Sequence, residues 1–371
     1  MKKLVFIIVL TLIAACLFAQ VGNNTFNTSS WKMLDNAQRA YDEGDVMKAM
    51  KLAENARQAR IEEFTNAAST METALIPTAV QRRGDLIPDV RKIWEERKES
   101  QAIAILDNAL LLHTEEDFNN SITAVCEWYR SRIAYPEAEY LLGKLYMLEG
   151  EYDIASDFFR QAIDHSDVLD IQDEKISILY DSAYLDELRN DMNGFEEKLL
   201  QIMEYNPDYV EYITSRSSNS YLDAIIRATR RNFTPDKFFL LYRSEYYDTI
   251  SACIDLASYY SEMGYNDKAF PVSVLAVLTS FTRIYSILKS RNVKYVYTTV
   301  EGFFDEAAKH SDVQKWMKDN KVWNSFYVFG KLVLDYQRNE SMAKDIFIIL
   351  NEKCPDSYVK NAASTMLSTM E

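Results

Sequence analysis

The chain has 371 residues and a formal net charge of −15, with 41 Lys plus Arg against 56 Asp plus Glu. A field of that sign repels a polyanion, which disfavours nucleic acid as a partner. With 48% hydrophobic residues a continuous core is attainable, yet only 9 glycines and 7 prolines occur. Average glycine usage is roughly 7%, so this chain has few residues for the positive-φ turns of sheet proteins and phosphate loops, and it reads as helices joined by short connections.

The first segment has the form of a secretory leader. Lys2 and Lys3 give a positive start, and Leu4 to Ala19 is apolar except for Thr11. That run is shorter than the ~20 residues a helix needs to span a bilayer. Two cleavage sites compete. Leu17-Phe18-Ala19 before Gln20 suits an ordinary signal peptidase and makes residues 1–19 the signal peptide. Ile13-Ala14-Ala15-Cys16 resembles a lipobox, which would remove residues 1–15 and leave Cys16 carrying lipid. The apolar Leu17-Phe18 after Cys16 favours the ordinary cut. Either site implies export, to the periplasm or to a membrane-anchored lipoprotein. Residues 20–30, rich in Asn, Thr and Ser, read as a flexible spacer.

From residue 31 onward helical periodicity dominates. Ala37, Ala40, Gly44, Ala49, Ala53 and Ala56 set a spacing, with Tyr41 beside it. Leu142, Gly143, Tyr146, Gly150, Ala155, Phe159 and Ala162 repeat it, and so do Leu256, Ala257, Tyr260, Gly264, Ala269, Ser273 and Ala276. Small residues on both sides of a tight turn let two antiparallel helices approach closely. A large residue one helical turn further along the same face fills the gap against the next pair.

This spacing resembles the tetratricopeptide repeat, W-x2-L-G-x2-Y…A-x3-F…P over about 34 residues. The leading Trp and closing Pro are missing in the Pro136 to His165 copy. The resemblance implies an all-α fold, a superhelical array of antiparallel helix hairpins (an α-solenoid), with about six to eight hairpins in the mature length. A first array is expected over 31–208 and a more degenerate one over 209–371, parted near the Ser-, Asn- and Arg-rich stretch from Asn206 to Thr234. Weaker hairpins are expected at Glu99 to Leu112 (Ala102, Leu106, Ala109), around a turn at Asn193-Gly194-Phe195 with Lys198 in the small-residue place, and at Ala343, Phe347 and Leu350 before Pro355. The run Val293 to Val300 is β-branched and aromatic, but Val293, Val296 and Val300 follow a three-four period, which predicts helix. Pro271 falls early in its helix, where it is either tolerated or kinks it.

In tetratricopeptide proteins the first helix of each hairpin lines a concave groove that docks a peptide or protein. The resemblance therefore makes Gln38, Tyr41, Tyr140, Lys144, Met147, Ile254, Ser258 and Ser261 the candidate partner-binding residues. Tyr and Met suit that role because they offer large contact area with amphipathic or adaptable ends. No GxGxxG, GxxxxGK[ST], HExxH or GxSxG occurs. His113 before Glu115, Glu116 and Asp117 reads as a helix end and an acidic first turn rather than a metal site. Cys126, Cys253 and Cys354 lack zinc or thioredoxin spacing and read as buried thiols. No catalytic residue, cofactor or metal ligand is singled out. The expectation is a non-catalytic envelope scaffold. The alternatives are a small-molecule capture protein serving a transporter, motivated by the aromatic-rich Phe238 to Phe304, and a helical cell-wall hydrolase.

Overall fold

The computed structural model describes residues 29–74, 104, 107, 115–215, 220–230 and 233–370. The leader, most of the spacer, His113 and the residues Ala102, Leu106 and Ala109 lie outside them. The regular structure of the described residues is all helical, with no strand among them. Two compact units meet in sequence at Leu185 and Asp186, upstream of the Asn206 to Thr234 stretch where a break was expected.

The first unit contains α1 (Ser30–Asp42), α2 (Val46–Ala74), α3 (Glu115–Ser131), α4 (Pro136–Leu148), α5 (Tyr152–Asp164) and most of α6 (Glu174–Leu188). α1 and α2 form one antiparallel hairpin, and α4 and α5 form the next. Each turn has the same construction. Gly44 and Gly150 both have φ of +79°, and the residue after each donates its N–H five residues back, Asp45 to the Ala40 carbonyl at 2.8 Å and Glu151 to the Tyr146 carbonyl at 3.0 Å. This is a helix end closed by a left-handed residue, which glycine enters without steric cost.

The seam between helices depends on small side chains. Ala37, Ala40, Ala49 and Ala53 of the first hairpin pack on Leu141, Leu142 and Leu145 of the second, and Ala56 and Ala59 meet Tyr135 and Ala138. The first two hairpins thus touch directly. α2 runs on beyond its hairpin, and its distal half packs on α3, where Phe64 and Tyr129 rings lie 5.1 Å apart and Arg130 pairs with Glu72 at 2.6 Å. The start of α1 is closed from a distance: both the N–H and the hydroxyl of Ser30 donate to the buried Glu63 carboxylate of α2, at 3.0 and 2.8 Å.

In the second unit α7 (Met192–Met203), α8 (Pro207–Thr214), α9 (Tyr221–Thr229) and α10 (Pro235–Leu241) precede a long hairpin of α11 (Ile250–Glu262) and α12 (Asn266–Arg291). Then follow α13 (Val300–Ala307), α14 (Ser311–Asp319), α15 (Val322–Asp335), α16 (Glu340–Lys353) and α17 (Ser357–Thr369). Proline opens α8 and α10, where no N–H is missed, behind the capping side chains of Asn206 and Thr234. The α11–α12 turn repeats the first unit's geometry, with Gly264 at φ +75° and Tyr265 N–H donating to the Tyr260 carbonyl at 2.8 Å. α15 and α16 pair next to it, and α17 packs on α16. Gly330 and Phe347 repeat a close contact of the α4–α5 hairpin: a β-carbon at Gly143 would lie 2.5 Å from the Phe159 ring, and one at Gly330 would lie 3.2 Å from Phe347 and 2.8 Å from Ile346.

Two local expectations are corrected. The turn expected at Asn193-Gly194 lies at Asn190, which takes φ +58° and is followed by an Asp191 N–H to Asp186 carbonyl bond of 2.8 Å. Asparagine tolerates the left-handed region through its short polar side chain. Phe195 consequently occupies the small-residue place, and Lys198 pairs with the buried Asp186 at 3.0 Å. Gly194, inside α7, leaves room for that carboxylate, since a β-carbon there would lie 2.7 Å from Asp186 Oδ2. The second correction concerns Val293 to Thr299, which is neither helix nor strand. Asn292 ends α12 with an extended backbone, and Thr299 caps α13 by accepting the Gly302 N–H at 3.1 Å. Val293 and Val296 are 77% and 68% exposed, so the apolar period there faces no core. Pro271 sits within an uninterrupted α12.

Candidate functional site

On the first helices of the hairpins, two tyrosine rings converge on one cation. The Lys144 ammonium of α4 lies 4.4 Å from the ring centroid of Tyr140, one turn earlier on the same helix, and 5.1 Å from that of Tyr41 on α1. A lysine flanked by two tyrosine faces is held by the negative charge of both rings. The Tyr140 hydroxyl donates to Asp181 Oδ2 of α6 at 2.7 Å, and its ring packs 6.1 Å from Phe159. One tyrosine therefore links α4 to both α5 and α6.

The electrostatics follow from this partial burial. Desolvation lowers the Lys144 pKa, and the nearby carboxylates of Asp181, Asp42 and Glu174 act against that shift. Burial pushes the Tyr140 phenol well up, reinforced by Asp181. Burial also raises the Glu174 carboxyl, with Lys144 lowering it. Among the described residues Lys144 makes no ion pair, so its three N–H donors have no carboxylate partner within bonding distance. The face thus offers one positive head with open donors, two amphipathic rings and an acidic margin.

Five of the expected residues share this face. Gln38 is half-buried and donates to Asp42 at 2.9 Å, Tyr41 and Lys144 are joined as described, and Met147 packs beside Ala155, Phe159 and Leu185. The three on α11 differ. Ile254 is 2% exposed, a core residue and not a groove residue, because α11 is covered on that side by its neighbours; Ser258 and Ser261 are half-buried. Asp42, Glu174 and Asp181 were missed. Asp181 comes from α6, 41 residues after Tyr140, and no spacing in the sequence pairs the two.

The aromatic run Phe238 to Phe304 is packed upon itself. Phe239, Phe281 and Phe303 stack with centroids 4.3 and 3.9 Å apart, and the void they border has room for about 10 Å³, too little for an organic ligand.

No protein-family model matches the chain. The chain is similar to an uncharacterized protein of Treponema pallidum (strain Nichols), 28% identical over 342 residues, covering 92% of this chain and 90% of that protein. The likeness therefore runs through both units.

His165 Nδ1 lies 2.8 Å from the buried Glu139 carboxylate, which also faces Arg57 at 3.8 Å; this ties α2, α4 and the end of α5 together. Among the described residues no group of three His, Cys, Asp or Glu side chains is placed to hold a metal ion. Cys126, Cys253 and Cys354 are buried and free.

Proposed function

We propose that this chain is an exported, non-catalytic helical-repeat protein of the tetratricopeptide type, and that it docks a peptide segment of an envelope protein on the face formed by α1, α4 and α6. Support for the repeat type comes from the three turns at Gly44, Gly150 and Gly264, which share one geometry, and from the alanine seams that follow each. Support for the docking role rests on one observation. Lys144 is partly desolvated between Tyr41 and Tyr140 with open donors. The rings hold the cation by their faces, and an acceptor on an incoming chain can replace the water that its open donors otherwise take.

A backbone carbonyl or a carboxylate of an extended peptide is such an acceptor, while the tyrosine rings supply apolar contact. Export is supported by Lys2, Lys3 and the apolar run to Ala19.

The test is parallel affinity recovery from intact cells with the natural chain and with a Tyr140→Ala, Lys144→Ala double variant. The expected result is loss of a specific partner from the variant while circular dichroism keeps its helical signal, with a lower thermal midpoint because Tyr140 also ties α4 to α5 and α6. Recovery of the same partners by a folded variant would defeat the proposal. Sequencing the mature N-terminus in the same sample separates release at Gln20 from lipidation at Cys16.

A further inference from the structure

The second unit carries a separate cleft of about 800 Å³ between α13, α14, the start of α15 and the α16–α17 connection. That volume is in the range of sites that take small organic ligands, about 300–1,000 Å³. Its floor is apolar: Phe304, Met317, Trp323 and Val359 line it. The Trp323 and Phe304 rings lie 4.5 Å apart, and Trp323 remains half-buried, with part of its surface uncovered.

The rim is basic. Lys315, Lys318, Lys321 and Lys353 all border the cleft, in a chain whose overall charge is −15. Opposing them among the lining residues is Asp356, and its carboxylate is engaged by the N–H groups of Tyr358 and Val359 at 2.8 and 3.2 Å, where it caps α17. Three of the lysines have carboxylate partners that are not part of the lining: Lys315 pairs with Asp319 at 2.8 Å, Lys321 with Asp255 at 3.1 Å, and Lys353 with Glu301 at 2.9 Å. The Lys315–Asp319 pair is well exposed on both sides and worth little, so Lys315 can turn to a new anion at small cost, whereas the exposed Lys321 is held by a half-buried Asp255. Lys318 makes no ion pair among the described residues.

From this combination we infer that the cleft binds a small amphiphilic anion, its apolar or aromatic body on the Trp323–Phe304 floor and its anionic head against Lys318 and Lys315. Neither half of the cleft explains the other: an uncovered tryptophan floor suits any apolar molecule, and the lysine rim selects those with a negative head. A cationic amphiphile is rejected by the same rim. This site is independent of the Lys144 face and uses none of its residues.

The probe is dodecanoate below its micellar concentration, titrated calorimetrically into the full mature chain, with dodecanol and dodecyltrimethylammonium as controls. The expected result is saturable uptake of one dodecanoate per chain, with dodecanol weaker and the cation not bound. A Lys315→Glu, Lys318→Glu variant changes only exposed side chains, so it should keep the fold. It should bind dodecanoate about tenfold more weakly or worse, the loss of about one charge-assisted hydrogen bond. Dodecanol should bind it as before. Absence of saturable dodecanoate uptake, equal binding of dodecanol, or an affinity untouched by the double charge reversal would each overturn the assignment.

Discussion

Gly143 is where α4 meets the ring of Phe159, and replacing it with alanine tests how closely the two helices are held. A β-carbon there would lie 2.5 Å from both Cδ1 and Cε1 of Phe159, about 1 Å inside ordinary contact. The ring is fully buried and has no space to withdraw. Overpacking of this kind costs about 1–3 kcal/mol, while alanine in a helix interior gains about 1 kcal/mol over glycine. With a buried ring that cannot withdraw, the overpacking falls in the upper part of that range, about 2–3 kcal/mol, so the net expectation for Gly143→Ala is a loss of about 1–2 kcal/mol. In a unit of this size that lowers the thermal midpoint by about 3–6 °C. The assay is calorimetry on the natural chain, Gly143→Ala, Phe159→Leu and the double variant. Leucine removes the ring atoms that the new methyl would strike, so the double variant should recover about 1 kcal/mol of coupling. A neutral or stabilising Gly143→Ala would mean that helix propensity alone decides, and the close approach of α4 and α5 would lose its energetic meaning.

Three further outcomes follow from the structure. Burial raises the Glu137 carboxyl from 4.5 to about 7, although it accepts the Asp170 N–H; the folded state thus holds a proton that the unfolded chain has released. That stability is full below about pH 4.5 and is lost as pH rises through about 7, so urea midpoints should fall across this range, less steeply in Glu137→Gln. An unchanged slope in that variant would contradict the assignment. The Cys126, Cys253 and Cys354 thiols are buried and pushed up to about 11, 12 and 11, so alkylation near neutral pH should wait for unfolding. Rapid labelling of the native chain would refute their burial. Asn206 is fully buried, accepts the Tyr209 N–H at 3.2 Å and donates to Thr249 at 3.0 Å; Asn206→Ala should cost about 2 kcal/mol in denaturant titration by losing a helix cap and a buried hydrogen bond, while the Thr249 hydroxyl keeps its bond to the Tyr246 carbonyl. A change of a few tenths would show that neither bond matters.

Much of the helical framework can be read along the chain, and the reason is that its signals are local. A glycine that ends one helix and alanines within the next turns act over a few residues, and Gly44, Gly150 and Gly264 occupy one conformation accordingly. The same rule misplaced a turn where asparagine took the glycine role at Asn190. It also extended helix into Val293 to Thr299, where a three-four period has no core to face. Half of the Lys144 face was legible because Tyr140, Lys144 and Tyr41 sit at repeat positions. Asp181 was not, since it reaches Tyr140 across 41 residues and only the packing of α6 on α4 brings them together.

Composition, turn residues and small-residue spacing thus determined by themselves that this chain is helical and where its strongest hairpins begin and end, because those properties depend on backbone sterics within one hairpin. Tertiary structure alone decided that Ile254 is core, that Lys144 is caged by rings from two helices, and that four lysines spread over Lys315 to Lys353 border one tryptophan-floored cleft. Each of these depends on which helices lie side by side, and side chains far apart in sequence acquire a common environment only when packing has placed them there.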